Sequence, residues 1–161
     1  MTPATFRDTD TGGTRGGRMA EVSAEARIEA PAGKVWDRLT DYASYGEWNA
    51  THTSFPEGGP AELKLGAAYE ENMKLMGFPA EVTWTVDALE QGRLLATRGK
   101  GPMGVNLAMR YSLTPEGDAT TVRIDGEFTG AAVSLMGGKL TDSATAALQE
   151  SLRKLGGLAT A

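Results

Sequence analysis

Apolar and polar residues alternate along most of this chain, and the period of the alternation sorts it into strands and helices. From Glu21, Val22, Ala24, Ala26 and Ile28 fall on one face while Glu21, Ser23, Glu25, Arg27 and Glu29 fall on the other, the period of a half-buried strand. Ala30-Pro31 ends it, and Pro31 suits the first turn of a helix whose apolar side is Val35, Trp36, Leu39 and Tyr42. That helix is predicted to run to about Asp41, followed by a shorter helical segment carrying Tyr45 and Trp48 and then a turn-rich connection, Phe55 to Pro60.

Strand period returns at Ala67. Tyr69, Glu71, Met73 and Leu75 share one face; Gly77-Phe78-Pro79 turns into a strand with Val82, Trp84, Val86 and Ala88 in phase; Leu94 to Lys100 forms another. After a hairpin loop at Gly99 to Gly104, Val105, Leu107, Met109, Tyr111 and Leu113 alternate strictly. Pro115 to Asp118 is a turn, and Thr121 to Thr129 supplies the last strand. Short connections make this an antiparallel meander. The period then changes to three and four: Val133, Met136, Leu140, Ala144, Ala147 and Leu148 define one stripe of a long amphipathic helix, Ala131 to Leu158. The predicted fold is α+β: a curved antiparallel sheet of six to seven strands, two short helices after the first strand, and a long C-terminal helix laid across the sheet. Because Ala144 and Ala147 add little volume to the stripe, a hollow between helix and sheet is expected.

Met1 to Arg18 contains only Phe6 as a large apolar residue, too little burial to offset ordering, so it is expected to be a disordered tail ahead of a single domain at 19–161, with Met19 as an alternative start. The net charge of −5 and scattered basic residues exclude a nucleic-acid footprint. With no cysteine, thiol catalysis, disulfides and thiolate metal sites are ruled out. No apolar run reaches a membrane span and no signal-peptide core stands at the N-terminus, so integral membrane contact is not expected and a cytoplasmic location is.

Ala30-Pro31-Ala32, Val35-Trp36-Asp37, Leu39-Thr40-Asp41, Tyr45 and Trp48, with Pro115 to Val122 as the last hairpin, resemble the polyketide cyclase/dehydrase branch of the START-like (SRPBCC) superfamily over about Ala20 to Leu158. Val82 to Val86 and Arg98 to Gly101 are similar to actinobacterial proteins labelled as the toxin of a toxin–antitoxin pair. The resemblance implies a helix-grip fold around a deep apolar cavity that binds a lipid or other hydrophobic small molecule. It leaves three functions open: ligand binding, polyketide cyclase or dehydratase activity, and a toxin with an antitoxin partner.

In such a cavity the ligand would meet Tyr69, Met73, Trp84, Met109, Tyr111, Phe128, Met136 and Leu140, although the same pattern equally describes a filled core. Glu71, on the phase of Tyr69 and Met73, is a candidate acid or base, but a shift of one residue would turn it to solvent. Arg98 could anchor a carboxylate or enolate if it shares the phase of Leu94 and Ala96, whereas Leu95 favours the opposite phase. Tyr69 and Tyr111 complete the catalytic candidates. His52, the only histidine, has no neighbouring carboxylate in sequence and is expected at the surface. Gly99 to Gly104 lies between strands, without the helix N-terminus that a phosphate loop needs. Trp36 and Trp48 are expected to pack rather than react. No metal site and no cofactor are expected, and oligomeric state is not legible.

Overall fold

The alternating segments pair as one sheet. In the computed structural model, which describes residues 19–161, seven strands form a single antiparallel sheet. They are β1 (Met19–Ile28), β2 (His52–Ser54), β3 (Ala68–Leu75), β4 (Phe78–Glu90), β5 (Leu94–Lys100), β6 (Asn106–Glu116) and β7 (Ala119–Thr129), in the order β1-β7-β6-β5-β4-β3-β2. The tail expected at 1–18 lies outside the described residues. Helix α1 (Ala32–Leu39) and a 3-10 turn (Tyr42–Glu47) link β1 to β2, and α2 (Val133–Met136) and α3 (Gly138–Thr160) close the chain. This is the α+β helix-grip architecture, with α3 lying against β1 and α1.

Two differences from the sequence pattern have local causes. The C-terminal helix is interrupted at Gly137, whose φ of 60° and ψ of −150° break the hydrogen-bond ladder and leave α2 as a single turn ahead of α3. The polar stretch after Trp48 contains a strand: β2 has three residues, too short for a period, and it pairs with β3 through His52↔Met73 and Ser54↔Asn72 with an irregularity between.

The apolar interior divides along α3. Its C-terminal half places Leu152, Leu155 and Ala159 among Ile28, Val35, Trp36, Leu39 and Ile124, where Val35 and Leu155 are fully buried. Its N-terminal half, with Leu140, Ala144 and Leu148, faces Trp84, Leu107 and Phe128 of the sheet. Among the described residues, no helix is long and apolar enough to cross a membrane.

Candidate functional site

The two halves of the interior are not filled alike. Between the first half of α3 and the inner face of the sheet lies a cavity of about 300 Å³, at the lower end of the ~300–1,000 Å³ typical of small-molecule pockets. Alternation aims one residue in two of each strand into it: Tyr69, Glu71 and Met73 from β3, Trp84 from β4, Thr97 from β5, Leu107, Met109 and Tyr111 from β6, and Ile124 and Phe128 from β7. Helix α3 contributes Leu140, Ser143, Ala144, Ala147, Leu148 and Ser151, and the small side chains among these leave the space that the stripe's alanines foreshadow. Tyr45 and Trp48 border the cavity from the segment before β2. The backbone N–H of Ala50 donates to Ser151 Oγ at 2.8 Å, tying that segment to α3.

The polar residues of the wall are organised around Glu71, 3% exposed. The indole N–H of Trp84 donates to Glu71 Oε1 at 2.8 Å, and His52 Nδ1 lies 2.6 Å from Oε2. The indole can only donate, so Oε1 accepts from Trp84, while the short Nδ1···Oε2 contact holds one proton between the ring and the carboxyl group. His52 reaches Glu71 because β2 pairs with β3, and its ring is held against Phe55 at 4.4 Å and Tyr45 at 5.1 Å between centroids. The arrangement needs Gly99: a Cβ there would lie 2.7 Å from Val82 Cγ1 and 2.8 Å from the Trp84 ring, so the glycine lets the indole cross β5.

Four tyrosines gather beside the carboxylate. Tyr42 stacks on Tyr45 at 5.3 Å and contacts Tyr69 at 5.8 Å. Burial, with the negative charge of Glu71 adding to it, pushes Tyr42 up to about 12 and raises Tyr45, Tyr69 and Tyr111 as well. These phenols are therefore neutral O–H groups over the physiological range. The phenols of Tyr42 and Tyr69, and those of Tyr45 and Tyr111, lie close enough to influence one another's ionisation. The Trp48 indole N–H differs from its neighbours: it is buried and has no hydrogen-bond partner among the described residues.

Of the residues predicted to line the pocket, Tyr69, Met73, Trp84, Met109, Tyr111, Phe128 and Leu140 border this cavity. Met136 does not. It lies on α2, beyond the break at Gly137, and packs against the apolar cluster there. Glu71 is on the inward phase, not the solvated one. Arg98 is a correction: β5 buries Leu95, Thr97 and Gly99, which turns Arg98 outward to pair with Asp87 at 3.0 Å. His52 is a second correction. Its side chain is only 8% exposed and paired with Glu71, because a strand pairing supplies the carboxylate that sequence proximity lacks. No group of residues suited to a metal ion occurs among the described residues.

Comparison with known proteins follows the same outline. Residues 19–160 match the sequence model of a family described as "Polyketide cyclase / dehydrase and lipid transport". An uncharacterized protein of Mycobacterium tuberculosis, Rv1546, is 25% identical over 109 residues, covering 66% of this chain and 76% of that protein. The ZhuI aromatase/cyclase of Streptomyces sp. R1128 superposes with a TM-score of 0.67 at 19% identity, covering 88% of this chain and 94% of the other. A START superfamily protein of Mycobacterium smegmatis superposes with a TM-score of 0.58 at 18% identity, covering 84% and 98%. The mycobacterial relative carries no assigned activity, so the toxin alternative gains no support from it.

Proposed function

The chain belongs to the polyketide cyclase/dehydrase and lipid transport family, and from that premise we propose that it binds a hydrophobic small molecule in the space between its sheet and α3. The observation that carries this is the cavity itself. A volume of about 300 Å³ equals roughly ten waters at ~30 Å³ each, far more than the voids that close packing leaves in an interior. Its wall is mostly apolar, with methionines that adapt to irregular shapes, and its polar groups are confined to a few positions. The size suits a bicyclic molecule better than a long-chain lipid.

Native mass spectrometry of the protein purified from its own host, followed by denaturing extraction, tests this. A stoichiometric small molecule that is lost in Ala147→Phe, where a ring occupies the space, supports the proposal. A folded wild-type protein that retains nothing and takes up no apolar probe refutes it.

A second function is favoured by one specific observation: Glu71, in the cavity wall, is backed by His52 at 2.6 Å from outside it. A carboxylate backed by an imidazole in a water-poor site is placed to move a proton on a bound carbonyl compound, as a cyclase or dehydratase requires. Turnover of a poly-β-ketone thioester by the wild type, abolished in Glu71→Gln with ligand binding kept, distinguishes catalysis from binding alone.

A further inference from the structure

Among the described residues, Leu65, Phe78, Met103 and Leu135 are the large apolar side chains left in solvent. Three of the four stand at one end of the sheet. There β3 ends at Leu75, which pairs with Phe78 at the start of β4; Lys100 of β5 pairs with Asn106 of β6 across the next connection; and Asn106 pairs with Thr129, where β7 gives way to α2. Phe78 is 71% exposed at the first connection, Met103 77% in the second and Leu135 85% on α2. The segments that carry them are packed together. A Cβ on Gly130, just ahead of α2, would lie 2.7 Å from the carbonyl oxygen of Gly104, and Met76 and Met136 rest on one apolar cluster. Leu65 lies elsewhere, since the N–H of its neighbour Gly66 donates to Val86 O, far along β4 from Phe78.

Single apolar side chains on a surface need no explanation, but this end has two further features. Met76 and Met103 are the non-glycine residues with positive φ among those described, at 54° and 59°. Glycine takes that conformation at less cost, so methionine at both turns keeps a large apolar side chain against the preference of the backbone. Charge is the second feature. Segments 74–79, 100–106 and 130–139 contain Lys74, Lys100 and Lys139 and no Asp or Glu, in a chain of net charge −5. All three lysines are exposed, and among the described residues none of them is ion-paired, whereas Arg27, Arg98, Arg123 and Arg153 each have a carboxylate partner. One end of an acidic protein is thus apolar at its tips and positive at their bases.

We propose that this end docks on the surface of an anionic phospholipid bilayer, with Phe78, Met103 and Leu135 entering the acyl layer and Lys74, Lys100 and Lys139 meeting the headgroups. The tips project from three separate connections. A fluid acyl layer accepts such points at any spacing, whereas a protein partner would need a pocket shaped for each. Lysine suits the boundary, because its stem lies along apolar material while its ammonium group stays at the level of the phosphates. The cavity wall includes Lys74 to Gly77, so the space between sheet and α3 reaches the docked end. A hydrophobic molecule then passes between bilayer and cavity without crossing water. That last step rests on the binding function proposed above; docking itself does not.

Flotation of the full chain with vesicles of phosphatidylcholine, with and without one-third phosphatidylglycerol, tests it. The wild type is expected to float with the anionic vesicles at low ionic strength, far less with phosphatidylcholine alone, and to be released by salt at about 0.5 M. Phe78→Ser and Leu135→Ser should each weaken binding by about tenfold or more, and Lys100→Gln with Lys139→Gln by about twentyfold. Leu65→Ser, equally a loss of an exposed leucine but away from this end, should stay within about twofold of the wild type. These side chains are exposed, so each variant should keep the wild-type circular dichroism. A measurement on the wild type stands beside them: with methyl-labelled methionine and bicelles of the anionic mixture, a nitroxide lipid should broaden Met103 and Met76 and spare Met109 in the cavity wall. Protein that stays in solution with anionic vesicles at low salt, including protein that instead dimerises through Phe78, overturns the proposal. So does a loss in Leu65→Ser as large as in Phe78→Ser, or equal binding to both vesicles at all salt concentrations. None of these results touches the binding function, which is read from the small molecule the protein retains.

Discussion

Raising the pH should unfold this protein abruptly, with its tyrosines as both cause and reporter. The four tyrosines of the chain, Tyr42, Tyr45, Tyr69 and Tyr111, are the four that meet beside Glu71, so phenolate absorbance reads this cluster and nothing else. In the folded state burial raises each above the unfolded value of ~10, Tyr42 to about 12. Below about pH 10 both states carry the phenolic protons and the full stabilisation is present. Above it the unfolded chain releases protons that the native state keeps, so stability falls with rising pH by about 1.4 kcal/mol per unit for each tyrosine, and by about 5 kcal/mol per unit for the four together. Tyr42's share stops growing once its folded value of about 12 is passed. Set against a total stability of ~5–15 kcal/mol, this places cooperative unfolding about one to three units above pH 10. Urea denaturation at stepped pH, with far-ultraviolet circular dichroism and phenolate absorbance followed together, checks the slope. Expected is a steep loss of stability and a phenolate signal that rises only as the helix signal falls. Phenolate forming with a midpoint near pH ~10 in protein that keeps its native circular dichroism would refute the assignment of these groups as buried.

Other substitutions probe the site one contact at a time. Gly99→Ala drives a methyl group into Val82 and the Trp84 ring; it should cost about 1–3 kcal/mol in urea denaturation and weaken probe binding, because the indole is displaced toward the cavity. Glu71→Leu leaves the buried Trp84 N–H without its acceptor and should destabilise by about 2 kcal/mol; combining it with Trp84→Phe should recover part of that loss, a coupling read from the double-mutant cycle. Ala147→Phe should abolish probe binding in equilibrium dialysis while thermal melting stays at or above the wild-type midpoint, since it fills space rather than displacing a neighbour. Arg98→Ala should change stability by less than about 1 kcal/mol and leave probe binding unaltered, as its exposed pair with Asp87 contributes little.

How much of this was legible in the sequence depends on the length of each periodic run. The eleven residues of β6, Asn106–Glu116, carry enough alternation to fix which face is inward, and the same holds for β1, β4 and β7. The phase of β3 likewise put Glu71 beside Tyr69 and Met73, but phase alone cannot say that a carboxylate will be buried, because burial depends on donors from other strands. Those donors are Trp84, one strand over, and His52, on a strand of three residues with an irregular register. No period exists in three residues, which is why His52 reads as a polar loop residue. Arg98 is ambiguous for a different reason: Leu94, Leu95 and Ala96 are consecutive apolar residues, and only the pairing of β5 with β4 and β6 decides between the phases. The unpartnered N–H of Trp48 leaves no trace in the sequence, since a tryptophan that lacks an acceptor is spelled like one that has it.

The division of the interior explains how such a cavity is tolerated. By the cost of unfilled core space, about 24 cal/mol per Å³, a void of about 300 Å³ forgoes at most about 7 kcal/mol relative to a filled interior, comparable with the whole stability of a domain. The fold meets this by concentrating dense packing elsewhere. Along α3 one face, from Leu140 to Ser151, borders the space, and from Leu152 onward the helix is sunk among Ile28, Val35, Trp36 and Leu39 from β1 and α1. One end of the helix anchors the structure and the other stays hollow. A ligand that fills the hollow should therefore raise thermal stability in proportion to the apolar volume it occupies.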